Sequence, residues 1–96
     1  MKYSIQVIEK LRNMHPGVRA DIRRQLDAAA DGRPCDIKPL QGALDGLWRL
    51  RVGRYRIICF YEDGELIADY LGTRNIVYDL YLSMRDLPPP PKQPNA

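Results

Sequence analysis

Within residues 47–61, which read Leu-Trp-Arg-Leu-Arg-Val-Gly-Arg-Tyr-Arg-Ile-Ile-Cys-Phe-Tyr, apolar and polar side chains alternate at 48–52 and again at 54–57. A strand sends successive side chains to opposite faces. Trp48, Leu50 and Val52 therefore share one face, and Arg49 and Arg51 the other. Beyond the break at Gly53, Tyr55, Ile57, Cys59 and Tyr61 oppose Arg56, Ile58 and Phe60. The pattern predicts strands over residues 47–52 and 55–62. Asp63-Gly64 is the strongest hairpin signal in the chain, because both residues tolerate positive φ. It predicts a further antiparallel strand over residues 66–71. A shorter alternation at Tyr3, Ile5 and Val7 predicts a first strand within residues 2–8.

Helical spacing governs much of the remainder. Ile8, Leu11 and Met14 carry the first strand into a helix that Pro16 breaks or restarts. Residues 17–30 place Val18, Ile22, Leu26 and Ala29 on one stripe, with Arg19, Arg23, Arg24 and Asp27 away from it. Asp31-Gly32 and Arg33-Pro34 end that helix. Gly32, Pro34, Pro39, Gly42 and Gly46 mark residues 32–46 as a loop. After Gly72, residues 74–84 predict a short helix with Val77, Leu80, Tyr81 and Met84 on its apolar side. The expected fold class is α+β: an N-terminal strand, a helical hairpin, an antiparallel sheet of about four strands and a short C-terminal helix, with the helices packed on one sheet face. Residues 1–86 form this single domain, and 87–96 a proline-rich flexible tail.

Composition changes the picture in one respect. Ninety-six residues, 45% hydrophobic and 28% charged, are ordinary for one globular domain. The net charge is only +3, so the placement of the basic residues matters more than their number. Arg49, Arg51, Arg54 and Arg56 fall in a stretch without any acidic residue. A solvated sheet face gives the same alternation, but an ordinary one mixes residue types. Arginines alone repel one another unless a polyanion or an acidic partner offsets the repulsion. The planar guanidinium fork also matches phosphate oxygens, which points to RNA or DNA backbone. Arg56, beside Ile58 and Phe60 on a partly apolar face, is the arginine least suited to a merely solvated role.

Other chemistry is sparse. No apolar run reaches the roughly 20 residues needed to span a bilayer. The amino-terminal residues lack a signal-peptide pattern, so a cytoplasmic location is expected. The two cysteines and one histidine lack zinc-ligand spacing, and neither a metal nor a cofactor is expected. Cys59 reads as a small core side chain, Cys35 as a free thiol, His15 as a turn residue, Arg54 as a solvated turn residue, and Trp48 as core between helix and sheet. There is no phosphate-cradling glycine loop, nucleophile elbow or Ser-His-Asp set.

The run Lys38-Pro39-Leu40-Gln41-Gly42, followed by Leu44-Asp45-Gly46-Leu47-Trp48-Arg49-Leu50-Arg51-Val52-Gly53-Arg54-Tyr55-Arg56-Ile57-Ile58, resembles the middle of the RelE/ParE toxin superfamily. Within it, the RelE-type branch with phage-derived HigB-like members is the nearer match. Leu71-Gly72-Thr73-Arg74 and Val77-Tyr78 are similar to that family's ending. The resemblance implies the toxin of a toxin–antitoxin pair, an mRNA interferase that cleaves messenger in the ribosomal A site without a metal. Its implied partners are a cognate antitoxin, in a toxin–antitoxin hetero-oligomer, together with the ribosome and mRNA, and no membrane. By position, Arg49 and Arg51 match the family's basic strand residues, and Arg56 the arginine of its Tyr-Arg strand. Arg74 matches the basic residue before the terminal helix, and Tyr78 the aromatic that contacts substrate.

The chemistry so implied is attack of a ribose 2′-hydroxyl on the adjacent phosphate. It needs in-line geometry, cationic donors and a proton acceptor. Arginine is a poor acceptor at neutral pH, and the family's frequent lysine is replaced here by Arg49 and Arg51. The acceptor is then either Tyr78, with a pKa lowered by its arginine neighbours, or a group of the ribosome. Two other readings stay open: a ParE-like gyrase-binding toxin, which has no chemical need of this basic set, and a catalytically inactive binding or repressor subunit.

Overall fold

Ser4 ends one element and begins the next. In the computed structural model, which describes residues 1–73 and 76–85, the first strand β1 covers only Lys2–Tyr3, and helix α1 follows at Ile5–Arg12. The Ser4 hydroxyl accepts a hydrogen bond from the Val7 amide at 3.2 Å, an N-cap that turns the chain into helix before the alternation at Ile5 and Val7 can continue. Helix α2, Pro16–Ala30, starts with proline in its first turn. His15 is more than a turn residue there, because its Nδ1 accepts from the Gly17 amide at 3.0 Å and caps the helix.

The strands β2 (Ile37–Pro39), β3 (Trp48–Val52), β4 (Tyr55–Glu62) and β5 (Glu65–Thr73) complete a sheet of order β1-β5-β4-β3-β2. A short 3-10 turn, Gly42–Leu44, lies between β2 and β3. Among the described residues the sheet has five strands and is mixed: β1 pairs parallel with β5, and the other pairs are antiparallel. The segment expected as an uninterrupted loop thus contains β2. Its proline is tolerated because the strand lies at the sheet edge. Asp63 (φ 53°) and Gly64 (φ 80°) make the expected tight turn between β4 and β5.

Helix α3, Ile76–Arg85, packs on the sheet face opposite to α1 and α2. On one face Val7, Leu11, Ile22, Leu26 and Ala29 meet Leu50, Ile57, Cys59, Leu66, Ala68 and Leu71. On the other, Val77 and Tyr81 meet Ile58, Leu44 and Leu47, with Phe60, Tyr70 and Tyr78 partly buried around them. The expectation of helices on one face is corrected. Ile57 and Ile58 are adjacent and both fully buried, so β4 is apolar on both faces and needs cover on both. The side chains of Leu80 and Met84, also assigned to that apolar side, lie outside the described residues, as do Arg74 and the tail 87–96.

Three local features seat α3. Pairing of Ile58 with Tyr70 and of Cys59 with Ala68 leaves Asp69 as the extra residue of a β-bulge. Its carboxylate Oδ2 accepts from the Tyr81 hydroxyl at 2.6 Å, and its carbonyl from the Ser4 hydroxyl at 2.6 Å. Gly72 lies so close under α3 that a Cβ there would stand 3.0 Å from Val77 Cγ2. Trp48 departs from its expected core role: it is partly exposed and packs edge-on against Tyr61, with ring centroids 5.9 Å apart. Cys59 is buried, and Cys35 is partly exposed; both are free thiols. Among the described residues no helix is long and apolar enough to cross a membrane.

Candidate functional site

Cross-strand register assembles the arginines. Arg51 stands directly opposite Arg56, and Arg49 opposite Ile58, across the β3–β4 pair. Residues opposite one another share a face, so Arg49, Arg51 and Arg56 lie on one face. It is the face that carries Ile58 and, beside it, α3. Lys38 on β2 pairs with Arg49 and adds a cation to the same face. Sequence reasoning missed Lys38 because it fell within an expected loop.

The arginines differ in their environments. Arg49 is tucked in, its side chain only 14% exposed, whereas Arg51 is 54% exposed. Arg49 Nη2 donates to Asp36 Oδ1 at 3.3 Å, and Arg51 Nε pairs with Asp36 Oδ2 at 2.9 Å. One carboxylate therefore bridges two guanidiniums. The basic segment is not as uncompensated as its own sequence suggests, because its counter-charge comes from outside residues 47–61. Arg56 Nη1 donates to the Gly53 and Tyr55 carbonyls at 3.0 and 3.1 Å, which folds the guanidinium back over the β3–β4 turn. Arg54 is exposed in that turn, above the Tyr55 ring at 5.7 Å.

Tyr78 on α3 lies close enough to this surface to feel the charges of Arg49 and Arg56. Burial raises its hydroxyl pKa above the ordinary phenol value, and the charges of Arg49 and Arg56 only partly oppose the shift. The expectation that neighbouring arginines would lower it is corrected: desolvation against the Ile58–Val77–Tyr81 cluster outweighs the attraction. The phenol is held neutral at physiological pH, and its ring is the part suited to contact a ligand. Among the described residues no three His, Cys, Asp or Glu side chains are grouped to hold a metal ion. The arrangement can clamp an anion with several oxygens, with planar donors below and an aromatic ring at one side.

Comparison with known proteins bears on both fold and family. The model of a family described as "Phage derived protein Gp49-like (DUF891)" matches residues 9–71. No curated protein matches the chain by sequence. Among solved structures, a chain of the RelB–RelE antitoxin–toxin complex from Methanococcus jannaschii superposes with a TM-score of 0.67 at 20% identity, covering 84% of this chain and 99% of that one. The isolated Escherichia coli RelE toxin gives 0.61 at 14% identity, covering 88% and 95%. YafQ from E. coli gives 0.61 at 16% identity, covering 80% and 94%. At these identities the likeness concerns the fold.

Proposed function

The chain belongs to the Gp49-like family of phage-derived proteins, within the RelE-type toxin superfamily, and on that premise we propose that it is the toxin of a toxin–antitoxin pair, acting as a ribosome-dependent messenger endoribonuclease. The observation that carries the reading is the register of Arg51 on Arg56, with Arg49 on the same face and Tyr78 beside them.

In the proposed reaction the ribose 2′ oxygen attacks the adjacent phosphorus and the P–O5′ bond breaks. The products are a 2′,3′-cyclic phosphate and a free 5′-hydroxyl. Negative charge on the non-bridging oxygens grows in the transition state, and fixed cations aimed at it lower the barrier. Arg49, Arg51 and Arg56 supply those cations, and Arg74 is proposed to add another by its place in the sequence. The Tyr78 ring stacks on a neighbouring base. Neither a guanidinium nor a phenol held neutral suits proton abstraction, so a group of the ribosome takes the 2′ proton, the leaving 5′ oxygen takes up a proton from solvent, and cleavage requires the ribosome. Activity on ribosomes implies a cytoplasmic location.

The proposed partner is a small acidic antitoxin with a segment that orders on binding. Ile5 is 79% and Ile8 42% exposed on α1. Beside them a groove of about 270 Å³ is lined by Ile8, Leu11, Arg12, Arg19 and Arg23. An apolar floor with a cationic rim suits an acidic, amphipathic segment.

The test compares programmed ribosomes with naked messenger, mapping cuts by primer extension. Cutting in frame on ribosomes, with naked RNA almost intact, is the expected result. Equal cutting of free RNA overturns the ribosome dependence. Loss of plasmid supercoiling without any RNA cleavage replaces the reading with that of a gyrase-binding toxin.

A further inference from the structure

Asp36 precedes β2, and the β2–β3 register, Ile37 on Leu50 and Lys38 on Arg49, sets it against Arg51. The Arg51 amide donates to the Asp36 carbonyl at 2.9 Å. The two carboxylate oxygens then divide between two arginines, Oδ1 to Arg49 and Oδ2 to Arg51. The Asp36 side chain thus lies against the arginines of the candidate site, where it also offsets their mutual repulsion.

We propose that Asp36 is a positioning residue, which aims Arg49 and Arg51 at the scissile phosphate without itself touching the RNA. The inference rests on the endoribonuclease reading and deepens it. A guanidinium has five N–H donors in one plane, and fixing one of them sets the direction of the rest. Asp36 engages Nη2 of Arg49 and Nε of Arg51, so the other donors keep a defined orientation. Without it, the exposed Arg51 would sample many rotamers and would have to be ordered when substrate binds, and the packed Arg49 would lose the partner that fixes its guanidinium plane. The carboxylate also repels an incoming phosphate. That repulsion acts on ground state and transition state alike, so any catalytic gain from Asp36 comes from orientation, and its removal should tighten RNA binding while loosening the geometry that the reaction needs.

The experiment uses Asp36→Asn and Asp36→Glu beside the parent. One readout is the affinity for a short single-stranded RNA across a salt series. The other is the single-turnover cleavage rate on saturating programmed ribosomes across pH. For Asp36→Asn the expected result is a several-fold tighter RNA complex with a steeper salt dependence. Its cleavage rate should fall about 10-fold or more, as lost orientation demands, with an unchanged shape of the pH profile. Asp36→Glu should restore parental RNA affinity and part of the rate. A fall in both affinity and rate with a lowered melting temperature makes Asp36 merely structural. A rise in both makes it only a competing anion, and loss of the acid limb of the pH profile makes it the proton acceptor; each overturns the proposal. Should Asp36→Asn not fold, Asp36→Glu alone decides: a reduced rate at parental affinity sustains the proposal and a parental rate overturns it. A parent that leaves ribosome-bound messenger intact removes the endoribonuclease reading and this proposal with it. A cutting parent with both variants at parental rate removes this proposal alone.

Discussion

Arg51 and Arg56 face each other across the β3–β4 pair, two like charges in direct register. Such a pair of like charges is unfavourable in a sheet. The fold tolerates it because Arg51 is paired with Asp36, and Arg56 donates to two backbone carbonyls of its own turn. Arg56→Ala should therefore leave the midpoint of urea unfolding unchanged or slightly raised. Cleavage on ribosomes should fall about 100-fold or more, as happens when one preorganised charge contact to a transition state is lost. A folded Arg56→Ala protein with parental cleavage would place the site elsewhere.

Tyr78 gives a prediction of the opposite kind, one of tolerance. Its pKa lies above the ordinary phenol value of 10.0 because burial outweighs Arg49 and Arg56. At pH 7 even an unshifted phenol is only about 0.1% ionised, and a raised pKa reduces that fraction further. Tyr78→Phe should keep most of the cleavage rate, and the parent's rate should show no rise assignable to phenol ionisation between about pH 7 and 9. Tyr78→Ala should lose roughly 1–3 kcal/mol of ring contact with RNA bases. A Phe variant as poor as the Ala variant, with the parent's rate climbing as the phenol ionises, would make the phenolate the base.

What was legible in the sequence followed local rules. Alternation at residues 48–52, the apolar run within 55–62, the Asp63-Gly64 turn and the Val18-Ile22-Leu26-Ala29 stripe each report on near neighbours along the chain. The structure agrees there almost residue for residue. What escaped depends on pairing between distant segments. β2 is three residues long and ends in Pro39, which reads as loop, and with β2 unseen Asp36 and Lys38 had no visible relation to the arginines. Had the strand been recognised, alternation alone would have put Asp36 and Lys38 on one face. The Ile57-Ile58-Cys59-Phe60 run did carry a signal for cover on both faces, since period two cannot hide four consecutive apolar residues on one side. The shift of the Tyr78 pKa was not legible, because it depends on how deeply α3 presses against Ile58.

Cys59 links burial to pH. Its thiol is pushed up to about 12 from 9.0, first by burial and further by Cys35 and Asp69 nearby. The folded state thus keeps a proton that the unfolded chain releases above about pH 9. The sign follows: stability is fully present below the unfolded pKa and declines as pH rises toward the folded one. For a single such group the limiting slope is about 1.4 kcal/mol per pH unit. Urea unfolding of the parent should weaken progressively from about pH 9 upward, and Cys59→Ala should show a shallower decline from a lower starting stability. In alkylation at about pH 8, Cys35 should react first and Cys59 only on unfolding. Rapid native labelling of Cys59 would contradict the burial argument.

Gly72 and Val77 test how tightly α3 is seated. Gly72 lies opposite Arg56 in the β4–β5 register, so the seat of the helix adjoins the arginine surface. A Cβ at residue 72 would approach Val77 Cγ2 to 3.0 Å and Val77 Cβ to 3.1 Å. Two terms oppose each other in Gly72→Ala. Reduced freedom of the unfolded chain favours the alanine by about 0.4–1 kcal/mol, and overpacking opposes it by about 1–3 kcal/mol. Val77 is fully buried, so its β-branched side chain has little room to yield, and overpacking should win. Gly72→Ala should lower stability by about 1 kcal/mol, and Val77→Ala should cost about 2 kcal/mol through lost methyl burial. In the double variant the methyl introduced at residue 72 enters space vacated by the valine. The combined loss should then be smaller than the sum of the two, with a coupling of about 0.5 kcal/mol or more. Gly72→Ala should also slow cleavage more than its stability loss explains, because Tyr78 follows Val77 on the displaced helix. Four urea curves decide the matter: additive losses, or a Gly72→Ala protein more stable than its parent, would mean that α3 does not rest on Gly72 as the structure places it.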